Sequence, residues 1–309
     1  MINNLRLKRL IFLFAFLFVF SLKAPFALAQ SQQGITVSPS IVHLDLSKDT
    51  PEYQLTYVNT TKTGVNLLLG VSDFSELENS YRVNFLDEKD AKNYKYSLSS
   101  WVSFENKTIQ LAPNEKKSVK IFIDKDRITK GGHYASILAE IVQPNTDKQV
   151  SIRAVLSSLL FVRASTGKEI EEGKISSFTP LRDGIDYPEK YILRFENSGN
   201  VHVVPYGLIE VYDPLGGLVA KGILNEGSLD ALPESIRRYD TKVINYQKML
   251  LPGVYTAKID LHFGKTNQKL SSSVKFFSQG MFNFVKIILG LIAIIVFMLF
   301  LKRLKRNSS

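Results

Sequence analysis

The chain has 309 residues, with 39 Lys and Arg against 29 Asp and Glu, four histidines and no cysteine. The missing cysteine excludes a disulfide-stapled scaffold, thiol catalysis, thiolate zinc sites and lipidation at a lipobox. The formal charge of +10 would suit a nucleic-acid partner if it were spread over the body. However, Arg6, Lys8, Arg9 and Lys23 lie before residue 30, and Lys286, Lys302, Arg303, Lys305 and Arg306 lie beyond 280, which leaves 30 cations for the 29 acids between them. The excess charge is therefore a topology signal, and no nucleic-acid partner is expected.

In chain order, Arg6, Lys8 and Arg9 precede an apolar stretch from Leu10 to Leu22, and Ala27-Leu28-Ala29 stands before Gln30. This pattern predicts a signal peptide over 1–29, cleaved after Ala29. The apolar stretch is too short for a membrane span, which takes ~20 residues.

The body then alternates apolar and polar residues with period two, as in Tyr53–Val58, Val119–Ile123 and Tyr191–Phe195, with turn residues between. The pattern repeats: Tyr53, Leu55, Tyr57 and Asn59 are echoed by Tyr191, Leu193, Phe195 and Asn197. Gly132-His133-Tyr134 is echoed by Gly253-Val254-Tyr255, and the Leu111–Glu115 turn by Leu232–Ser235. Three echoes in the same order predict a duplicated module. The expected fold class is all-β, with two tandem immunoglobulin-like β-sandwich domains followed by a single transmembrane helix. The domains are placed at 31–163 and 174–277, with a polar linker at 164–173, each near the ~100 residues usual for such a sandwich.

Between the two strands of the second repeat lies Glu196-Asn197-Ser198-Gly199-Asn200. It reads as a corner: asparagine bonds nearby backbone, and Gly199 is expected to supply a positive φ. Calcium would need several convergent oxygens, and Glu196 is the only carboxylate in the knot.

Chemistry-bearing patterns are sparse. His43, His133, His202 and His262 show no metal-ligand spacing, and no nucleophile elbow, phosphate loop or dinucleotide fingerprint occurs. The pairs Asp124 with Asp126 and Asp183 with Asp186 read as solvated turn charges. No catalytic residue, metal or cofactor is expected, and the chain is read as a non-enzyme. The polar excursion from Leu86 to Trp101 gathers Asn93, Tyr94, Tyr96 and the lone tryptophan. Trp101 is assigned to the core, and Asn93, Tyr94 and Tyr96 are the candidate partner-binding residues, because aromatic faces beside amides suit sugars or protein hot spots.

Toward the end, Phe282 to Leu301 is apolar apart from Asn283 and Lys286, and Lys302-Arg303-Leu304-Lys305-Arg306 follows. This predicts a transmembrane helix over 282–301 and a basic cytoplasmic tail over 302–309. Ser278-Gln279-Gly280 is read as a hinge. The expected location is the cell membrane, single-pass, with the body extracellular.

The stretches "ITVSPSIVHLDL", "SSWVSFENKTIQLAPNEKKSVKIFI" and "GGHYASILAEI" resemble the peptidoglycan-binding domain of the WxL-interacting proteins of Gram-positive bacteria, and the resemblance covers nearly the full chain. It implies a surface protein that contacts cell wall or displays another protein. Three functions are carried forward. The first is a membrane-anchored binding or scaffold protein for peptidoglycan or an exported partner. The second is a chaperone-like accessory protein that offers a sheet edge to a secreted subunit. The third is a membrane-anchored hydrolase, which would need a metal or a cleft with paired carboxylates.

Overall fold

The alternating stretches form strands along the body, so the described residues are all-β apart from short helical turns and one C-terminal helix. The computed structural model describes residues 34–77, 80, 82–142, 154–181, 188–245, 251–279 and 282–307. The signal-peptide expectation over 1–29 lies outside the described residues. In chain order the strands are β1 (Ile35–Ser38), β2 (Ile41–Asp45), β3 (Glu52–Asn59), β4 (Val65–Glu76), β5 (Val83–Phe85), β6 (Val102–Phe104), β7 (Thr108–Leu111), β8 (Lys116–Ile123), β9 (Gly132–Val142) and β10 (Val155–Arg163). They continue with β11 (Gly173–Leu181), β12 (Lys190–Asn197), β13 (Tyr206–Tyr212), β14 (Leu218–Leu224), β15 (Ser235–Lys242), β16 (Ile244–Asn245), β17 (Gly253–Phe263) and β18 (Gln268–Ser278). Helix α1 spans Glu88–Asn93 and helix α2 spans Phe282–Asn307.

Strands up to β10 build two sheets, β1-β3-β8-β6 and β2-β10-β9-β4-β5, with β7 also paired to β4. Pairing is antiparallel except for β2, which runs parallel to β10. Leu55, Tyr57, Val119 and Ile121 from the first sheet close on Leu67, Ile109, Leu111 and Ile137 from the second, all at 2% exposure or less. From β11 on, the sheets are β11-β12-β15 and β16-β14-β13-β17-β18. Their core joins Tyr191, Leu193 and Phe195 to Ile209, Val211, Tyr255, Ile259 and Phe263. Each such side chain contributes ~1.5–3 kcal/mol by leaving water, which lets two sandwiches stand without disulfides.

The repeat seen in the sequence reappears as equivalent geometry. Asn59 and Asn197 each end a strand, fully buried. Asn59 Nδ2 donates to the carbonyls of Thr63 (2.9 Å) and Ala112 (3.0 Å), and its Oδ1 accepts from Thr61 N–H (2.9 Å). Asn197 Nδ2 donates to Val201 (2.8 Å) and Ala231 (2.9 Å), and its Oδ1 accepts from Gly199 N–H (3.0 Å). The turns that supply those carbonyls each carry one left-handed residue, Asn114 (φ 60°) and Glu234 (φ 54°).

The two sandwiches belong to one compact unit, Ile35–Ser309. Phe74, Tyr96, Tyr134 and Phe161 of the first pack with Leu232 of the second in a separate aromatic cluster. The linker contributes to this union. Arg163 at the end of β10 pairs with Glu171 at 2.7 Å, and Asn200 accepts from Ile170 N–H and donates to Lys168.

Two expectations for the C-terminal region are corrected. Ser278 is the buried last residue of β18 and not part of a hinge. Helix α2 continues through Lys302 to Asn307, so the basic stretch is helical. Among the described residues no helix is long and apolar enough to cross a membrane. The transmembrane helix over 282–301, the integral membrane association and the single-pass cell-membrane localisation are withdrawn on that finding.

Candidate functional site

The polar excursion of the first sandwich is more ordered than its composition suggests. Asp87 caps α1 by accepting from Asp90 N–H at 2.8 Å. The following turn is held by Asp73 of β4, buried at 1% exposure, which accepts from Ser97 Oγ (2.6 Å), Leu98 N (2.8 Å), Ser99 N (2.8 Å) and Ser99 Oγ (2.7 Å). Four donors on one carboxylate satisfy its charge inside the fold.

Of the three candidate partner-binding residues, Tyr94 and Tyr96 lie together, their rings edge-on at 5.9 Å, but the three differ in burial. Asn93 is exposed at the end of α1, Tyr94 is half-buried, and Tyr96 is buried at 4% exposure with its ring 6.2 Å from that of Tyr134. Trp101 is partly buried against Val42, Leu98 and Ile123 and meets the His133 ring edge-on at 4.7 Å. Asp124 caps a short turn by accepting from Asp126 N–H at 3.3 Å, so the Asp124 carboxylate is spent on local structure. Asp183 and Asp186 lie outside the described residues.

The corner at Glu196–Asn200 also joins the two sandwiches. Asn200 accepts from Gly132 N–H at 2.8 Å, while Glu196 pairs with Lys174 at 3.0 Å. Gly199 is needed for a different reason than expected. It is absent from the positive-φ glycines, and a Cβ there would overlap the Ile170 carbonyl.

Buried polar groups converge where the sandwiches meet, although sequence spacing shows none of these pairs. Glu76 on β4 and Arg237 on β15 form an ion pair at 3.0 Å, with side chains 2% and 6% exposed. Burial pushes the Glu76 carboxyl up to about 7 against the opposing pull of Arg237. Arg237 also donates to the Asp230 carbonyl at 2.6 Å. Tyr134 accepts the backbone N–H of His202 at 2.8 Å. Across a cleft of about 500 Å³, Asp45 pairs with Lys265, and His43 Nε2 meets Asp230 Oδ2 at 2.9 Å. Burial pushes the His202 imidazole down to about 4, so the ring is neutral at neutral pH. Sequence reading kept the four histidines apart, yet the fold brings His43 and His202 to a ring separation of 5.5 Å.

The sheet edges are unequal. β1, β2, β5, β6 and β16 have five residues or fewer. β11 carries Pro180 and a register shift near Ser177. β15 carries Arg238 bound to Asp240, and Arg238 N–H donates toward the Ser80 carbonyl at 3.4 Å. Proline, irregularity and charge are the usual protections of an edge. β18 has charge but neither proline nor irregularity: eleven residues with Lys269 and Lys275 exposed, in unbroken register with β17. At its end Val254 and Phe277 are register partners and are 51% and 56% exposed.

No family model matches the chain, and no curated protein matches it. Among solved structures it is similar to a chain of the chaperone-tip adhesin complex of CFA/I fimbriae biogenesis, with 11% identity, a TM-score of 0.38, and coverage of 80% of this chain and 99% of the other. It is also similar to the Pseudomonas aeruginosa CupB2 chaperone, at 11% identity and TM-score 0.38 over 79% of this chain and 100% of that one. The E. coli chaperone DraB gives 12% identity and TM-score 0.37, over 80% and 98%.

Proposed function

We propose that the protein is a non-enzymatic, chaperone-like accessory protein, two immunoglobulin-like sandwiches that offer the backbone of an edge strand to an exported client. The observation that carries this reading is β18, a long edge strand with neither proline nor a register shift. Its backbone groups form the template that strand addition uses, in which main-chain hydrogen bonds give affinity and flanking side chains give selectivity. Lys269 and Lys275 on the exposed face disfavour pairing of β18 with itself, while Val254 and Phe277 offer an apolar anchor at one end.

Capture by the tagged full chain tests the reading. One stoichiometric exported protein should co-purify. Ser272→Pro and Ser273→Pro are made as a pair, because neighbouring residues in a strand turn their N–H groups to opposite sides. The variant that keeps the wild-type melting temperature has lost an outward N–H, and it should capture at least tenfold less client. Equal capture by both variants, or retention on purified cell wall that neither variant alters, would overturn the assignment.

A further inference from the structure

We propose that His43, His202 and Asp230 form a binding site for a zinc-like first-row divalent cation that clamps the first sandwich to the second. This inference is independent of the edge-strand reading. His43 lies on β2, while His202 follows the Glu196–Asn200 corner and Asp230 precedes β15, so the ligands come from both sandwiches.

One donor atom from each residue lies within 4.8 Å of the other two. Zinc bonds of ~2.0–2.1 Å in a tetrahedron put ligand atoms roughly 3.4 Å apart, so side-chain rotation of about an ångström closes the set. His43 Nε2 and Asp230 Oδ2 are already 2.9 Å apart.

A second observation points to a ligand. Asp230 is 4% exposed, and its Oδ1 is buried without a hydrogen-bond partner. A buried carboxylate oxygen left unsatisfied is costly, and a cation is the partner that removes the cost. The rings are also held in place: His43 stacks on Phe161 at 4.9 Å with 24° between planes, and His202 Nδ1 lies 3.3 Å from the Tyr134 hydroxyl. Such outer contacts orient metal-binding imidazoles.

The surroundings favour a cation. The cleft is lined by four carboxylates, Asp45, Asp49, Glu171 and Asp230, and by two permanent cations, Arg163 and Lys265. Carboxylates and permanent cations together leave it two negative charges in excess. Two imidazoles and one carboxylate select zinc and its first-row neighbours over calcium or magnesium, which prefer oxygen alone. All three residues line the cleft.

The test is equilibrium dialysis of the purified full chain against buffered ZnCl2, with metal content and thermal unfolding measured together. One zinc per chain and a rise in melting temperature are expected. His43→Ala and Asp230→Asn should each weaken binding at least tenfold and abolish the zinc-dependent rise. His43 is 47% exposed at its side chain, so its truncation leaves the core intact; His43→Gln, which keeps a polar contact to Asp230, is the second variant. Substoichiometric uptake by the folded wild type, binding unchanged in these variants, or calcium competing equally would overturn the proposal in favour of a plain histidine–aspartate pair.

Discussion

At the scale of single residues, Asn59 and Asn197 do the same work in the two sandwiches. Each ties its own turn to a second one, its Nδ2 bridging a carbonyl four residues on and another far along the chain. Asn197→Ala removes two donated bonds and one accepted bond, and it should destabilise by roughly 3 kcal/mol in urea unfolding. This role was legible because an asparagine at a strand end followed by small polar residues has a specific local chemistry. Glu76 was not legible, since nothing in its sequence neighbourhood points to Arg237. Its pH dependence has a definite sign. The folded carboxyl titrates near 7, against an ordinary value of 4.5. Between those values the folded chain holds a proton that the unfolded chain has released, so stability falls as pH rises through that window. The full effect is worth roughly 3 kcal/mol. Denaturant midpoints at pH 5 and pH 8 should therefore differ more for wild type than for Glu76→Gln; an equal difference in both would refute the assignment.

At the scale of elements, period-two alternation identified the strands because each sheet buries one face, as in β12, where Tyr191, Leu193 and Phe195 point inward. The linker was harder to read. Its polar composition suggests a solvated connection, yet Glu171 is 6% exposed at its side chain and meets Arg163, and its Oε2 also accepts from Lys265 N–H. Composition reports the side chains, while pairing partners far along the chain decide whether they are buried. Gly199 illustrates the same limit, because its reason is the approach of Ile170 from the linker and not its own φ. Gly199→Ala should thus cost roughly 2 kcal/mol, measurable as a lower urea midpoint, although backbone propensity alone would favour alanine. The excursion from Leu86 to Trp101 differs again, since the Asp73 carboxylate that orders it lies on β4 and carries no sequence mark.

At the scale of the whole molecule, the interface makes one unit from two sandwiches. Leu232 places one aliphatic side chain from the second sandwich among Phe74, Tyr96, Tyr134 and Phe161 of the first. Leu232→Ala should lose 2–5 kcal/mol, as large-to-small core changes do, and should split a single unfolding transition into two; one unchanged transition by fluorescence and circular dichroism would argue against coupling. Packing of the pair would fix the direction in which β18 faces, as the proposed edge presentation requires. Amide hydrogen exchange of β18, alone and with the co-purified exported client, tests that claim most directly. The account predicts new protection on alternate amides of Gln268–Ser278, with the interface unchanged. Client binding that leaves those amides exchanging as before, or that protects a different edge, would contradict it.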